Sequence, residues 1–327
     1  MTQIATSANS KPGAPIDPAA LRVLLFEDSA LDAALIKKFL QTAGVRQANI
    51  LHTDTIPSAL QLLTREPVDV CIADYYLRPH TGFDLMDEAR RFDIDVPFIM
   101  VTAMDDREID RGALDRGAYG FLVKADLTVE GLERSIRYAL VRHARESKLA
   151  RAAVYDAMTD LPNRAAFMEK LTQAVDDHRP KAGMLSLVLL NMHAMRYLND
   201  AYGQDIGDDV IRVLAERLKG RRRATDVLAR VGGDTFALIM SDVVLQHHAV
   251  THARKLVAEI SAPAPTRDGE HDICLAGGLA SETVRPGGAP TADIVTGLLH
   301  RATAALAEAK QATRMKKLSE VVAARLN

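Results

Sequence analysis

The sequence predicts an α/β protein in which two domains are joined by a long helix. Its 327 residues exceed what one hydrophobic core usually serves. From Leu21 onward, short apolar runs alternate with amphipathic segments, and this alternation predicts a parallel sheet with helices on both faces. Between the two halves, residues 129–157 contain no proline, which is compatible with one long helix. We expect a flexible tail at 1–19, a first domain at 20–128, a helical linker at 129–157 and a second domain at 158–327.

Composition excludes several classes of protein. The chain is 48% hydrophobic and 26% charged, which is typical of a globular protein. A formal net charge of -2 argues against a DNA-binding surface. Cys71 and Cys274 lie in separate apolar runs, so both predict core residues rather than a disulfide. Because no apolar run reaches the roughly 18 residues of a membrane span, and 1–18 lacks the apolar stretch of a secretory signal, we expect a cytoplasmic protein without membrane contact.

Polar side chains stand where the predicted strands of the first half end. Glu27 and Asp28 follow the first apolar run, Asp74 ends the third, Thr102 ends the fourth, and Lys124 follows the fifth. Because ligands of parallel sheets bind at the carboxyl ends of the strands, we expect these side chains to lie close together. Three carboxylates suit Mg²⁺, and an aspartate among them can attack a phosphoryl group. Taken singly, each residue has another interpretation, since acidic residues after a strand are often helix N-caps.

Together, these residues resemble the receiver domain of two-component response regulators over about 120 residues, from Leu21 to roughly Leu140. The resemblance implies a flavodoxin-like, doubly wound parallel sheet, Mg²⁺ as cofactor, and a sensor histidine kinase or phosphotransfer protein as partner. Ala125 follows the lysine where the family usually has proline. The roles implied are phosphorylation of Asp74, metal binding by Glu27, Asp28 and Asp74, and switching by Thr102, Phe121 and Lys124.

The linker at 129–157 is predicted to be helical, because its apolar residues recur at helical spacing. Two interpretations stay open for this helix. It packs on its own domain, or it forms the seam of a parallel homodimer that carries the phosphorylation signal, with a possible coiled coil. The family resemblance favours the dimer. The apolar positions are Leu132, Ile136, Leu140, Leu149 and Val154.

Four motifs follow in a fixed order in the second half. They are DAMTDLPNR at 156–164, LSLVLLNMHAMRYLNDAYGQDIGDDVI at 185–211, RATDVLARVGGDTF at 223–236 and LAEAKQATR at 306–314. Over about 165 residues they resemble the GGDEF family of diguanylate cyclases. This resemblance implies an α/β domain with a mainly antiparallel central sheet. The reaction of that family joins two GTP molecules into cyclic di-GMP with the help of divalent metals.

The metal-binding positions of that family have changed in this chain. Two aspartates of the family pattern are replaced by Asn191 and His193, and the signature turn ends in Asp234-Thr235 instead of Asp-Glu. Each change removes a charge from a site for a hard cation, which puts metal binding by this domain in doubt. We therefore expect a degenerate, catalytically inactive cyclase homologue. The residues of this degenerate site are Asn191, His193, Gly232, Gly233, Asp234 and Thr235.

Such a domain would signal by binding cyclic di-GMP or an unknown downstream protein. The alternatives are an active or weakly active cyclase, a GTP-binding regulatory module, and a pure protein-interaction module. Arg223 and Asp226 match the Arg-x-x-Asp inhibitory site for cyclic di-GMP in this family.

The resemblance also assigns nucleotide contacts to four residues of the second half. Two of them would bind the guanine edge and two the phosphates. In another interpretation, Asn199 and Asp208 are helix caps, and Lys310 and Arg314 are solvated charges on a helix surface. These candidates are Asn199, Asp208, Lys310 and Arg314.

Overall fold

The computed structural model describes residues 16–103, 116–316 and 318–325. The chain forms two compact units, which divide between Leu149 and Ala150. In the described ranges, no helix is both long enough and apolar enough to cross a membrane.

The strands of the first unit are β1 (Val23–Phe26), β2 (Ile50–Thr53), β3 (Val70–Asp74), β6 (Phe98–Thr102) and β7 (Gly120–Val123), with a short hairpin of β4 (Tyr76–Leu77) and β5 (His80–Thr81) after β3. The strands outside the hairpin form a parallel sheet in the order β2-β1-β3-β6-β7. The helices of this unit are α1 (Ala30–Thr42), α2 (Ile56–Arg65), α3 (Gly82–Arg91) and α4 (Val129–Val154).

Both faces of this sheet are buried, as side-chain alternation along β1 shows. Val23 and Leu25 pack in one core cluster with side chains of α1 and α4. Leu24 and Phe26 pack on the opposite face with side chains of α2 and α3. The three inner strands, β1, β3 and β6, are buried along their whole length, and strands buried on both faces read as continuous apolar runs. The predicted doubly wound parallel sheet is confirmed.

Helix α4 spans 26 residues, or about 39 Å at 1.5 Å per residue. Leu132 and Ile136 in its first half are buried against the sheet, whereas Leu149 is 71% exposed and Val154 is 40% exposed. The apolar stripe therefore packs on the core of the first unit only in its first half. The helix ends at Val154, three residues before the end of the predicted linker at 157.

The second unit contains a five-stranded sheet in the order β14-β13-β8-β10-β9. Neighbouring strands from β13 to β9 are antiparallel, and β14 lies parallel to β13. The predicted mainly antiparallel sheet is thus confirmed. Its strands are β8 (Gly183–Met192), β9 (Val227–Arg230), β10 (Thr235–Val243), β13 (Leu275–Val284) and β14 (Glu320–Ala323), with a separate hairpin of β11 (Ala264–Thr266) and β12 (Gly269–His271). Its helices are α5 (Arg164–His178), α6 (Met195–Tyr202), α7 (Gln204–Arg221), α8 (Gln246–Ile260) and α9 (Thr291–Lys316).

The central strand β8 is buried on both faces and carries one of the predicted site residues at its end. Val188 and Leu190 pack with side chains of α7 and α8, while Leu187 and Leu189 pack with side chains of α5 and α9. The antiparallel register of β8 and β10 places Asn191 opposite the first residue of β10. This register brings the two altered motifs of the second half together.

Candidate functional site

In the first unit, three carboxylates meet at the carboxyl edge of the parallel sheet. Glu27 and Asp28 follow β1, and Asp74 is the last residue of β3. One ligand oxygen from each lies within 4.8 Å of the others. Glu27 and Asp74 are buried and Asp28 is exposed. Oxygen ligands at this spacing, open to water on one side, suit Mg²⁺.

The ammonium group of Lys124 lies among these carboxylates. Its Nζ donates hydrogen bonds to Asp74 Oδ2 at 2.8 Å and to Asp32 Oδ2 at 2.6 Å. It also lies 2.8 Å from Glu27 Oε2 as an ion pair. Asp32, which belongs to the first turn of α1, was not predicted as a site residue. No sequence pattern links it to Lys124, because the two residues are 92 positions apart.

Charge and burial shift two pKa values at this edge. Burial raises the pKa of Glu27 to about 7, an effect that the nearby Lys124 ammonium opposes and the Asp74 charge reinforces. Burial alone would lower the pKa of Lys124, but its contacts with the carboxylates of Asp32, Asp74 and Glu27 raise it above the usual range. The lysine therefore stays charged.

The two other predicted switch residues lie on the neighbouring strands. Thr102 is the last residue of β6, which pairs with β3, and its side chain is fully buried. Phe121 lies in β7 and packs, half-buried, on the core cluster that contains Phe83 of α3. The fold thus brings Thr102 and Lys124 to the same edge of the sheet as the three carboxylates, while Phe121 lies two residues before the end of β7. Their roles in phosphorylation and switching stay predictions.

In the second unit, the altered motifs form one hydrogen-bonded cluster. Asn191 Nδ2 donates to Asp234 Oδ1 at 2.7 Å and to Thr235 Oγ1 at 2.9 Å, and Thr235 Oγ1 donates to Asp234 Oδ1 at 3.1 Å. Gly232 and Gly233 form the exposed turn before β10. The cluster offers one carboxylate, one hydroxyl and one amide.

His193 does not share this cluster's hydrogen bonds. It follows β8 as a half-buried residue, and its backbone N–H donates to Cys274 O at 2.7 Å. Within the residues that the structure describes, the one group of three or more His, Cys, Asp or Glu side chains close enough to share a metal is that of Glu27, Asp28 and Asp74.

Arg230 ties the signature turn to the first motif of the second unit. Its Nη1 donates to Asp156 Oδ1 at 2.8 Å and its Nη2 donates to Gly233 O at 2.6 Å. The backbone N–H and the hydroxyl of Thr159 also donate to Asp156 Oδ1, at 3.0 and 2.7 Å. Burial alone would raise the pKa of Asp156, but the hydrogen bonds from Arg230 and Thr159 lower it. Arg230 belongs to the motif at 223–236, but the sequence did not predict that it contacts Asp156.

The predicted guanine-binding residues lie on consecutive helices. Asn199 belongs to α6, and its Oδ1 is buried without a hydrogen-bond partner among the described residues. Gly207 of α7 faces this amide so closely that a Cβ there would lie 1.9 Å from Asn199 Oδ1. Asp208 follows directly and is half-buried. Neither predicted residue is a helix cap, because both lie inside helices and Gly203 is the N-cap of α7.

The remaining candidates lie on helix surfaces and at a turn. Lys310 and Arg314 are exposed on α9, four residues apart, so they share one face of that helix. Arg223 is exposed, and its backbone N–H donates to Asp226 Oδ2 at 3.1 Å. Asp226 is 2% exposed, with His252 Nε2 at 3.7 Å. Burial raises the pKa of Asp226, while that backbone hydrogen bond and His252 oppose the rise.

Comparison with known families assigns both units. Residues 23–135 match the response regulator receiver domain, and residues 153–316 match the diguanylate cyclase GGDEF domain. The second match covers half of the chain. The protein therefore belongs to the GGDEF family of diguanylate cyclases and carries a receiver domain ahead of its GGDEF domain.

Several relatives are themselves named as diguanylate cyclases. TpbB of Pseudomonas aeruginosa is 32% identical over 177 residues, which are 54% of this chain and 39% of TpbB. DgcP of the same organism is 28% identical over 216 residues, which are 66% of this chain and 31% of DgcP. DgcS of Shewanella oneidensis is 27% identical over 158 residues, which are 48% of this chain and 53% of DgcS. The matched region thus spans between about a third and half of each relative.

Solved GGDEF domains are also similar to this chain. The crystal structure of the TpbB GGDEF domain is 30% identical, with a TM-score of 0.46 over 52% of this chain and 99% of that one. The GGDEF domain of DgcB from Caulobacter crescentus, solved with c-di-GMP, is 26% identical, with a TM-score of 0.45 over 52% of this chain and 95% of that one.

These findings correct one expectation. The altered residues at the metal positions led us to expect a catalytically inactive homologue, and this expectation is wrong. The family that the domain matches, and the relatives named above, are diguanylate cyclases. A loss of carboxylates does not by itself remove the domain from its enzyme class, because a nucleotide substrate brings phosphate oxygens that also bind the metal.

Proposed function

We propose that this protein is a diguanylate cyclase controlled by phosphorylation of Asp74. The single observation that best supports nucleotide binding is the buried Oδ1 of Asn199, which lacks a partner within the described residues and is approached by Gly207. Buried polar atoms are nearly always hydrogen-bonded, so an unpartnered oxygen here indicates a donor from a ligand. The N–H groups on the guanine edge of GTP are such donors.

In the receiver, Asp74 is the proposed nucleophile. Its carboxylate oxygen attacks the phosphorus of the phosphodonor, and an O–P bond forms as the bond from phosphorus to the donor breaks. The leaving group departs with that electron pair. Glu27, Asp28 and Asp74 would hold a Mg²⁺ ion, which offsets charge on the transferring group. Lys124 and Thr102 would bond the phosphoryl oxygens, and a kinase or phosphotransfer protein would supply the phosphoryl group.

In the GGDEF domain, the 3′ oxygen of each GTP forms a bond to the α-phosphorus of the other as the bond from that phosphorus to pyrophosphate breaks. Two pyrophosphates leave with the bonding electron pairs, and the two hydroxyl protons pass to solvent. Asn199 and Asp208 would hold the guanine edge, and Lys310 and Arg314 the phosphates. Asp234 would hold a divalent metal, whose role is to offset the phosphate charge. Mg²⁺ bound by one carboxylate together with substrate phosphates is within the usual range for that ion. Asn191 positions Asp234 by its hydrogen bond of 2.7 Å.

Product analysis tests this proposal. Purified protein is incubated with GTP and Mg²⁺ or Mn²⁺, with beryllofluoride as the phosphoryl mimic at Asp74, and products are separated by chromatography. We expect cyclic di-GMP above background. Asp234→Asn should lower the rate by roughly a hundredfold or more, because it removes the one carboxylate of the cluster. Asp177→Asn, at an exposed position on α5, is the matched control and should leave the rate unchanged.

A charge-restoring variant makes a negative result informative. The double variant Asn191→Asp, Thr235→Glu returns two of the three carboxylates that the family pattern has at Asn191, His193 and Thr235, and should raise the rate at least about tenfold. If the double variant makes cyclic di-GMP and the natural protein makes none, the proposed activity is refuted. Product from the double variant would show that the fold and the assay are both sound.

A second ligand is supported by the turn before β9. Asp226 Oδ1 is buried without a hydrogen-bond partner within the described residues, next to the exposed Arg223. We propose that cyclic di-GMP binds there, with the guanidinium of Arg223 on a phosphate or guanine edge. Calorimetry should show binding that Arg223→Ala abolishes and that Arg221→Ala, at an exposed neighbouring position, retains. Absence of binding in the natural protein would remove this ligand from the proposal.

The reaction also requires two GGDEF domains, so we propose a homodimer. Tyr138 and Leu149 on α4 are 64% and 71% exposed, and large apolar side chains on a helix surface favour helix association. Cross-linking should trap a dimer. A protein that stays monomeric with and without beryllofluoride would contradict this arrangement.

A further inference from the structure

Lys124 has one partner that the phosphorylation chemistry does not require. Its ammonium group has three N–H donors. Two of them are donated to Asp74 and Asp32, and Glu27 Oε2 lies 2.8 Å away. Asp32 is the third residue of α1, where its backbone N–H donates to the hydroxyl of the N-cap Ser29. Its carboxylate is therefore brought to the edge of the sheet by the start of a helix.

A phosphoryl group on Asp74 would need at least one of these three donors. The Glu27 side chain is 0% exposed, that of Asp74 is 7% exposed and that of Asp32 is 39% exposed. The Mg²⁺ ion proposed at Glu27, Asp28 and Asp74 would compensate these carboxylates for the loss of the lysine. Asp32 does not belong to the proposed metal ligands, so it is the carboxylate that would remain beside Lys124 when Mg²⁺ is bound.

We propose that Asp32 is a positioning residue that competes with the phosphoryl group for Lys124 and so favours the unphosphorylated receiver. Its negative charge acts in the same direction, because it disfavours a dianionic group bound to the same ammonium. This role rests on the proposed phosphorylation of Asp74. It makes Asp32 a determinant of how readily the receiver is switched, rather than a residue that reacts.

Beryllofluoride binding tests this role without an enzymatic assay. The full chain, saturated with Mg²⁺, is titrated with beryllofluoride, and the bound species is followed by fluorine NMR. Asp32→Asn keeps the size of the side chain and removes its charge. We expect it to tighten beryllofluoride binding by roughly three- to tenfold. Asp32→Glu, which keeps the charge, should bind within about twofold of the natural protein.

Asp84→Asn is the matched control. Asp84 is also the third residue of its helix, α3, and its carboxylate accepts hydrogen bonds from Thr81 rather than from Lys124. This variant loses the same first-turn charge, so it reports any general effect of weakening a helix start. Its beryllofluoride affinity should equal that of the natural protein.

The outcomes separate the two proposals. Unchanged or weaker beryllofluoride binding by Asp32→Asn would overturn the competition, and weaker binding with a lower unfolding temperature would assign Asp32 a purely structural role. If the natural protein itself binds no beryllofluoride in saturating Mg²⁺, the phosphorylation of Asp74 is refuted instead.

Discussion

At the scale of single residues, two polar side chains of the second unit, Asp234 and Asn199, are positioned by their immediate neighbours. Asp234 is the one carboxylate of the altered cluster and is held by Asn191 and Thr235. Asn199 keeps a buried oxygen without a protein partner in the described chain because Gly207 leaves room for it. The missing side chain of Gly207 on α7 thus leaves room for the amide of Asn199 on the preceding helix, α6.

Gly207→Ala should weaken GTP binding. The added Cβ would lie 1.9 Å from Asn199 Oδ1, so the amide must move away from its position. Losing one such hydrogen bond should raise the KM for GTP by roughly tenfold. Steady-state kinetics with the product assay measures this change.

Gly220→Ala is the control for that substitution. Gly220 belongs to the same helix, α7, and a Cβ there would meet nothing within 4 Å. It should leave the KM unchanged and stabilise the helix by about 0.5–1 kcal/mol. Equal KM values for both alanine variants would contradict the role of Asn199 in binding.

At the scale of elements, Arg230 joins two loops that are far apart in sequence. Through Asp156 it holds the turn that follows α4, and through Gly233 it holds the signature turn before β10. The Arg230 side chain is 9% exposed and that of Asp156 is 26% exposed. A charge pair that is this well shielded from water contributes more than a surface pair does.

The stabilisation that the Arg230–Asp156 pair gives to the folded protein should fall as the solution becomes acidic. The pKa of Asp156 is lowered in the folded protein, so the stabilisation is present above the ordinary pKa of 3.8 and is lost as the pH falls through the folded value. Asp156→Asn should therefore destabilise the second unit by about 1–3 kcal/mol at neutral pH. Denaturant unfolding at several pH values should show this difference shrinking as the solution becomes more acidic.

Asp160→Asn is the control for the pH series. Asp160 forms an ion pair with Arg151 in which the side chains are 57% and 65% exposed. Its loss should change stability by no more than about 0.5 kcal/mol at any pH. A difference between natural protein and Asp156→Asn that stays constant down to strongly acidic pH would contradict the ion-pair account.

At the scale of the whole molecule, one continuous helix connects the two units. Helix α4 begins at Val129 within the first unit and ends at Val154 within the second. Its residues from Lys148 to Val154 are exposed. A helix transmits rotation and translation along its axis, so the signal from Asp74 should depend on the helical register between the units.

Insertions into α4 test this dependence. One alanine inserted between Lys148 and Leu149 rotates the second unit by about 100° relative to the first and should abolish the stimulation of cyclic di-GMP synthesis by beryllofluoride. Seven inserted residues restore the register to within about 20° and should preserve the stimulation. Equal stimulation in both variants would show that α4 is a passive tether.

Much of the fold was predictable because its signals are local. Apolar runs buried on both faces of a sheet predicted the three inner strands of the first unit, and polar residues at the strand ends marked its acidic edge. Motif order predicted the second unit. The expectation of inactivity was wrong because it counted protein carboxylates alone and left out the oxygens that a nucleotide contributes to a metal.

The two α/β units, the helix between them and the strand-end carboxylates were predictable from the residues alone, since each follows from the pattern of neighbouring residues. By contrast, the contact of Lys124 with Asp32, 92 positions away, and that of Arg230 with Asp156, 74 positions away, exist only in the folded chain. Likewise, the register of β8 and β10 decided that Asn191 meets Thr235. Such pairs depend on strand order and register, which many distant contacts set together and which no local pattern of residues encodes.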